Sequence, residues 1–181
     1  WKLDTQTGQA SEIKVDLSSD EKENVLETVT YNSQADSYHL SPSTKRAVIS
    51  IRGELFTIPT DRGNVTRITE SYARDTSPQW SPDGNWLAFI SDRSGRDEVW
   101  LCDTQGEKQK QISDSDTQKL ALRWAPNSQA LLYTASDHKL YRYNLAEATT
   151  QVLVTSEVAD IGDPAWSPDA QWVSYTKVDH N

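Results

Sequence analysis

The sequence contains one cysteine, no methionine and three histidines among its 181 residues. The single cysteine, Cys102, excludes an internal disulfide and a zinc site built from cysteines. His39, His138 and His180 do not lie at a metal-ligand spacing such as i, i+4, so we interpret them as surface or loop residues. The patterns GxSxG and GxxxxGK[ST] are both missing from the sequence. We therefore expect no catalytic, cofactor-binding or metal-binding residue in this chain.

Long apolar runs and basic clusters are missing as well. No apolar run approaches the ~20 residues of a membrane span, and no run of Lys or Arg exceeds two residues, which excludes a basic membrane-surface helix. The formal net charge is −9, and an acidic surface repels the phosphate backbone of nucleic acids. We therefore expect neither a membrane nor a nucleic acid as a partner.

Aromatic residues are what the sequence does have, with seven Trp and seven Tyr. Disordered segments are poor in aromatics, so we expect the chain to fold although only 35% of its residues are hydrophobic. Its length suits one domain or a short array of repeats. The chain begins with Trp1 rather than Met, and we expect it to be a piece of a longer protein.

One segment of the sequence recurs. SPDGNWLAFIS (81–91) aligns without gaps with SPSTKRAVISI (41–51), APNSQALLYTA (125–135) and SPDAQWVSYTK (167–177). The residues that precede the copies are separated by 40, 44 and 42 positions, and they are Leu40, Trp80, Trp124 and Trp166. Self-similarity at such a period is the signature of a repeat architecture. Recurrence at one position of the repeat favours packing between repeats over ligand recognition.

Each copy has the pattern of a small antiparallel sheet. Apolar and polar residues alternate as in half-buried strands. Pro82 marks the end of a strand, and Asp83-Gly84 supplies a tight turn. A second apolar run, a polar turn and a last strand follow. Four-stranded units of this length are the blades of a β-propeller, whereas a β-sandwich, the alternative, does not repeat a turn motif in this way.

The repeat predicts an all-β fold, a β-propeller fragment of four-stranded antiparallel blades with three full blades and two half-blades. Residues 1–17 match the last two strands of a preceding blade or propeller. The acidic segment that follows breaks the pattern and is predicted to be a linker. The remaining predicted segments are, in chain order, the linker 18–36, the blades 37–70, 75–114 and 120–156, and the first half of a further blade, 161–181.

Two blocks of the sequence resemble known proteins. The pattern WSPDG…LAF.SDRSG…VWL is similar to the repeats of TolB-like propellers. The block SPSTKRAVISIRGELFTIPTDRGNVTRITE (41–70), followed by SPQWSPDGNWLAFISDRSG (77–95), resembles the tricorn-protease family. In that family two β-propellers precede a PDZ domain and a serine-protease domain, and the propellers are proposed to guide unfolded peptide in and products out. The resemblance covers nearly the whole chain.

The resemblance implies a non-catalytic propeller segment of a tricorn-like serine peptidase, which guides or gates peptide substrates and products. The catalytic domain would lie outside this chain, and the partners would be peptides, unfolded protein segments and other domains of the parent chain. Two alternatives stay open: a TolB-like periplasmic propeller that binds proteins, and the propeller of a prolyl-oligopeptidase-type hydrolase. Bacterial relatives of this type are often exported, which favours the periplasm over the cytoplasm.

Arg52 is the candidate for contact with a peptide. It follows the second predicted strand of a blade, where it either faces the central channel and pairs with a peptide carboxylate or pairs with an acid such as Glu54. Three further acids, Asp92, Asp97 and Glu98, surround the corresponding turn of the next blade, but they lack the ligand spacing of an EF-hand. We predict that Asp92 instead accepts hydrogen bonds from the backbone amides of its own turn.

The two predicted half-blades are complementary, because the first supplies the outer strands of a blade and the second supplies the inner ones. We expect an isolated chain to join them into a fourth blade, either within one molecule or by exchange between two molecules of a homo-oligomer. Strand edges that stay unpaired are otherwise aggregation sites.

Overall fold

The computed structural model describes residues 1–14, 30 and 34–178, which form strands and turns without a helix. No helix long and apolar enough to cross a membrane is therefore found among them. The chain divides into two compact units, Trp1–Asn32 and Ser33–Asn181. Most of the predicted linker 18–36 and His180 lie outside the described residues.

The described residues of the first unit form one β-hairpin. Strand β1 (Lys2–Leu3) pairs with the antiparallel strand β2 (Ala10–Ser11). The carboxylate of Asp4 holds the turn, because it accepts hydrogen bonds from the amides of Gln6 at 2.8 Å and Thr7 at 3.1 Å.

The second unit contains three four-stranded antiparallel sheets and one two-stranded sheet among its described residues. Sheet 1 comprises β3 (Ala35–Leu40), β4 (Arg46–Ile51), β5 (Glu54–Pro59) and β6 (Thr66–Arg67). Sheet 2 comprises β7 (Asp75–Trp80), β8 (Trp86–Ser91), β9 (Glu98–Asp103) and β10 (Lys110–Gln111). Sheet 3 comprises β11 (Lys119–Trp124), β12 (Ala130–Ala135), β13 (Lys139–Asn144) and β14 (Thr149–Thr155). Sheet 4 comprises β15 (Gly162–Trp166) and β16 (Val173–Thr176).

The first strand of each sheet lies against the first strand of the next. Strand β3 packs against β7, β7 against β11, and β11 against β15, as the innermost strands of neighbouring propeller blades do. Each of these four inner strands also has an irregular register near its start. The prediction of an all-β propeller fragment with four-stranded blades is confirmed.

The apolar core lies between the sheets rather than inside any one of them. The cluster between sheets 1 and 2 consists of Val48, Leu55, Ile68, Trp80, Leu87, Phe89 and Cys102. A second cluster joins sheet 2 to sheet 3 and includes Ile90, Leu101, Leu122, Trp124 and Leu131. Because each sheet hides its faces against its neighbours, a single blade cannot be stable alone. Burial raises the pKa of the Cys102 thiol to about 12, so this thiol stays protonated and unreactive.

The recurring turn has the same geometry in all four copies. The amide of its fourth residue donates to the carbonyl of its first residue at 2.8–2.9 Å. That fourth residue has a positive φ throughout: 57° at Thr44, 76° at Gly84, 60° at Ser128 and 58° at Ala170. Only glycine adopts this left-handed region without a steric cost, so three of the four turns are strained.

Candidate functional site

The recurring tryptophans connect successive blades by a repeated hydrogen bond. The indole Nε1 of Trp124 donates to the carbonyl oxygen of Gln79, and that of Trp166 donates to the carbonyl oxygen of Arg123, both at 3.2 Å. Each indole thus reaches the residue that precedes the equivalent tryptophan of the previous blade. This arrangement supports the packing role inferred from the sequence.

The first pair of blades departs from this pattern. Leu40 replaces the tryptophan in sheet 1 and is 49% exposed. The indole Nε1 of Trp80 is buried and has no hydrogen-bond partner within the described part of the chain. The backbone amide of Trp80 instead donates to the imidazole Nδ1 of His39 at 3.1 Å.

Three polar side chains occupy one equivalent position on neighbouring inner strands: His39, Gln79 and Arg123. Burial, together with the charge of Arg123, lowers the pKa of His39. Because Nδ1 accepts a hydrogen bond, the imidazole is neutral and carries its proton on Nε2. A neutral imidazole and a guanidinium can both donate hydrogen bonds to carbonyl or carboxylate oxygens of an extended peptide. Sequence reasoning missed this set, although its members directly precede the recurring Leu or Trp.

Arg52 lies at the other end of the sheets. It forms the turn between β4 and β5 with a φ of 51°, its side chain is exposed, and its Nε donates to the Gln34 side chain at 3.2 Å. The next residue, Gly53, accepts a hydrogen bond at 2.8 Å from the amide of Asp75, the first residue of β7. The structure therefore places Arg52 where the inner strands begin, and its contact with a peptide stays a prediction.

The acids near the turn of sheet 2 do not form a metal site. Asp92 accepts a hydrogen bond at 2.7 Å from the amide of Arg74, which precedes β7. Within its own turn, Asp92 accepts a hydrogen bond from the amide of Gly95 at 2.7 Å through its main-chain carbonyl. The prediction of a turn amide is therefore correct for the main chain and wrong for the carboxylate, which binds Arg74 instead. Across residues 1–14, 30 and 34–178, no group of three or more His, Cys, Asp or Glu residues could hold a metal ion.

Glu98 belongs instead to a buried ion pair between sheets 2 and 3. Its carboxylate lies 2.8 Å from the Lys119 ammonium, and both side chains are at most 2% exposed. The carboxylate also accepts hydrogen bonds from the Ser113 hydroxyl and, at 2.8 Å, from the Ser115 amide. Lys119 donates in addition to the carbonyl of Thr117 at 2.6 Å. The pair is thus fully hydrogen-bonded, as a buried charge requires.

A second charged pair lies inside sheet 2. The Arg93 guanidinium donates two hydrogen bonds of 2.9 Å to the buried carboxylate of Asp75. The same guanidinium lies 4.8 Å from the centre of the Trp100 ring and 5.2 Å from that of Phe89, within the range of cation–π attraction. These contacts fix the start of an inner strand.

Two grooves lie at equivalent places between successive sheets, at the end that carries the recurring turns. The groove between sheets 1 and 2, with a volume of about 820 Å³, is lined by Arg46, Thr57 and Thr66 among others. The groove between sheets 2 and 3, hereafter the 2–3 groove, has a volume of about 730 Å³. The three equivalent repeat positions in the 2–3 groove carry other residue types. Trp86 replaces Arg46, Leu101 replaces Thr57, and Lys110 replaces Thr66.

A family model described as "TolB beta propeller domain" (PD40) matches residues 5–181. The chain belongs to the TolB β-propeller family. Solved structures agree at the level of the fold. This TolB-family chain is similar to a TolB-like protein from Agrobacterium tumefaciens, with a TM-score of 0.63 and 22% identity over 82% of this chain and 61% of that one.

A second solved structure, TolB from Acinetobacter baumannii, has a TM-score of 0.60 and 19% identity. The match covers 77% of this chain and 37% of the Acinetobacter baumannii chain. Among curated relatives, "Uncharacterized peptidase YuxL" of Bacillus subtilis (strain 168) is 28% identical in an alignment of 166 residues, which covers 70% of this chain and 25% of YuxL. "Tol-Pal system protein TolB" of Desulfosudis oleivorans is 30% identical over 91 residues, 49% of this chain and 20% of that protein. This TolB-family chain therefore spans only a minor part of these curated relatives.

Proposed function

We propose that this chain is a non-catalytic TolB-type propeller segment of a tricorn-like serine peptidase, in which it guides or gates peptide substrates and products. The similarity to YuxL, whose name describes a peptidase, carries the proposal. The matched region is a quarter of YuxL, which leaves ample room in such a protein for a separate catalytic domain. The tricorn-like part of the proposal rests in addition on the resemblance of residues 41–70 to the tricorn-protease family.

The inner strands offer suitable chemistry for handling a polypeptide. His39 and Arg123 present hydrogen-bond donors near one end of the inner strands, and Arg52 adds a guanidinium where these strands begin. Backbone carbonyls are acceptors that every peptide has, so such donors bind peptides without demanding a particular sequence.

The alternative is a TolB-like propeller that binds protein partners and has no protease. This alternative is favoured by the similarity to the Desulfosudis oleivorans protein, which is 30% identical and covers 49% of this chain. The coding sequence after residue 181 separates the proposals. We expect a PDZ domain followed by a serine-protease domain. An α/β-hydrolase domain with GxSxG would favour a prolyl-oligopeptidase-type enzyme, and the lack of any protease domain would favour the protein-binding alternative.

Peptide binding by the chain itself is the second test. We expect the purified chain to bind a fluorescein-labelled unfolded casein fragment in an anisotropy titration and to leave it uncleaved. Arg52→Gln should weaken this binding about tenfold, the extent of one lost charged hydrogen bond, ~1.5 kcal/mol. Arg62→Gln, an exposed arginine in the turn before β6, is the matched control. Cleavage by the chain alone, or no binding, would contradict the proposal.

A further inference from the structure

We propose that the 2–3 groove is a docking site for an acidic peptide segment that also carries aromatic or aliphatic side chains. The inference rests on the proposed function in taking a peptide as the ligand, and it adds a location and a preferred charge. The groove lies at the end of the sheets with the recurring turns, whereas Arg52 lies at the opposite end.

Three basic side chains line this groove of a protein whose net charge is −9: Lys108, Lys110 and Arg142. Within the described part of the chain, Lys108 and Arg142 make no ion pair or hydrogen bond through their side chains. Such an arrangement creates a local positive potential that is available to an external carboxylate. A guanidinium also matches the planar carboxylate in a two-bond geometry.

Among the described residues that line the 2–3 groove, the single carboxylate is that of Asp83, and it is already engaged by its own turn. It accepts hydrogen bonds from the Ser81 hydroxyl at 2.5 Å, the Asn85 amide at 3.1 Å and the Asn85 side chain at 3.0 Å. Although burial opposes it, these hydrogen bonds lower the pKa of Asp83, and they hold its oxygens toward the turn. The carboxylate of Asp83 is therefore not a partner for Lys108 or Arg142.

Apolar and aromatic surface lies beside these charges. Trp86 and Tyr143 line the groove together with Leu101. The Lys110 ammonium donates to the Tyr143 hydroxyl at 3.2 Å and lies 5.9 Å from the centre of that ring. Aromatic rings with basic groups at their edges favour a ligand that has both carboxylates and apolar side chains. The volume of about 730 Å³ is within the range of ligand-binding clefts.

The equivalent groove between sheets 1 and 2 differs in how far its basic residues are available to a ligand. Its arginine, Arg46, uses Nη2 for the carbonyl of Thr57 at 2.8 Å, the hydroxyl of Thr57 at 2.9 Å and the carbonyl of Asn64 at 3.2 Å. This guanidinium is consumed inside its own sheet. Among the described residues that line this first groove, the other basic residue is the exposed Lys45. One lysine thus remains available there, whereas the 2–3 groove has both Lys108 and Arg142, and we therefore assign acidic-peptide binding to the 2–3 groove.

Fluorescence anisotropy with a labelled peptide of alternating Glu and Tyr tests the assignment, and the same peptide with Gln for Glu measures the contribution of charge. We expect the wild-type chain to bind the acidic probe about tenfold more tightly than the amide probe, which corresponds to ~1.4 kcal/mol. Added salt should reduce this difference. The double variant Lys108→Gln/Arg142→Gln should bind both probes alike, whereas the control Lys2→Gln/Arg74→Gln, which removes the same charges elsewhere, should behave as the wild type.

The outcomes separate this inference from the proposed function. If peptides bind but the groove variant keeps the wild-type preference for the acidic probe, the groove assignment is overturned while the proposed function stands. If neither probe and no casein fragment binds, the proposed function fails. A labelled single-stranded oligonucleotide that binds the groove in preference to the acidic peptide would also overturn the assignment. Lys108→Glu, at an exposed position, serves as the test variant if the double variant does not fold.

Discussion

At the fourth position of the recurring turn, one residue decides how much strain each blade carries. The backbone is left-handed in all four copies, yet only Gly84 lacks a side chain. Thr44 is the least favourable occupant, because a β-branched residue is disfavoured most strongly in this conformation. The turns nevertheless keep the same hydrogen bond, so the surrounding strands impose the geometry on the residue.

Exchanging residues at this position should change stability in opposite directions. We expect Thr44→Gly to raise the free energy of unfolding and Gly84→Ala to lower it, each by ~1 kcal/mol, because the left-handed conformation costs a non-glycine residue about that much. A Cβ at Gly84 would meet only Pro42 at 3.9 Å, so a clash does not complicate the comparison. Urea denaturation measures both effects. A stabilising Gly84→Ala would contradict the strain argument.

His39 should make stability dependent on pH. Burial and the charge of Arg123 lower its pKa in the folded state, so its contribution is present above the unfolded pKa of about 6.5 and is lost as pH falls through the folded value. Protonation of Nδ1 would also break the hydrogen bond from the Trp80 amide. Urea denaturation at about pH 7.5 and about pH 5.5 should show a smaller loss of stability in His39→Gln than in the wild type, the linkage limit being ~1.4 kcal/mol per pH unit. Equal losses would exclude His39 as the titrating group.

Between elements, the buried pair of Glu98 and Lys119 joins the third strand of sheet 2 to the first strand of sheet 3. The residue of sheet 2 that is equivalent to Lys119 in the repeat is Asp75. Asp75 pairs with Arg93, which belongs to the same sheet. Equivalent positions thus carry opposite charges and solve the same burial problem with different partners. The junctions between blades are therefore not interchangeable at this level.

Removing one member of the pair should be more harmful than removing both. We expect Lys119→Met to lower the free energy of unfolding by ~3–5 kcal/mol, because the Glu98 carboxylate would be left buried without a counter-charge. The double variant Glu98→Leu/Lys119→Met should recover a large part of that loss. Thermal or urea denaturation of the two variants measures the difference. A double variant less stable than Lys119→Met would contradict the desolvation argument.

The sequence predicts what recurs, and it misses what does not. The four-stranded blades and the packing role of Trp124 and Trp166 follow from a repeat that places the same residue types at the same steps. The partner of Asp92 could not be predicted, because the amide of Arg74 approaches it only once the sheet has formed. Glu54 occupies the position of Glu98 in sheet 1 and accepts the equivalent hydrogen bonds from Thr69 and Ser71. Its cation, Arg67, comes from its own sheet, so the repeat does not specify that Glu98 pairs with Lys119 of the next sheet. The peptide contact of Arg52 also depends on a ligand that no repeat specifies.

At the scale of the whole molecule, sheet 4 has a free edge among the described residues. Strand β16 pairs with β15 through Trp166 opposite Val173 and Ala165 opposite Ser174. Because hydrogen bonding alternates along an antiparallel pair, the amides of Val173 and Tyr175 point away from β15. An edge of this kind is a template for another strand.

We expect the free edge to be paired in solution. Hydrogen exchange should show protected amides at Val173 and Tyr175, and light scattering should identify the partner: a monomer for closure within one chain, a dimer for exchange between two. Tyr175→Pro removes one of these donors and should abolish protection at Val173, whereas Tyr175→Phe should retain it. Rapid exchange of both amides in the wild type would show that the edge stays open.

The indole that joins one blade to the previous one binds a main-chain oxygen, and every residue type provides that acceptor. If a DNA segment that encodes one blade were duplicated, the added blade would carry its own tryptophan. The previous blade would already provide the main-chain carbonyl that accepts its hydrogen bond. As far as this connector is concerned, genes of this design can gain or lose units by recombination, and the substitutions that a new junction still needs are those at buried charged pairs such as Glu98 with Lys119.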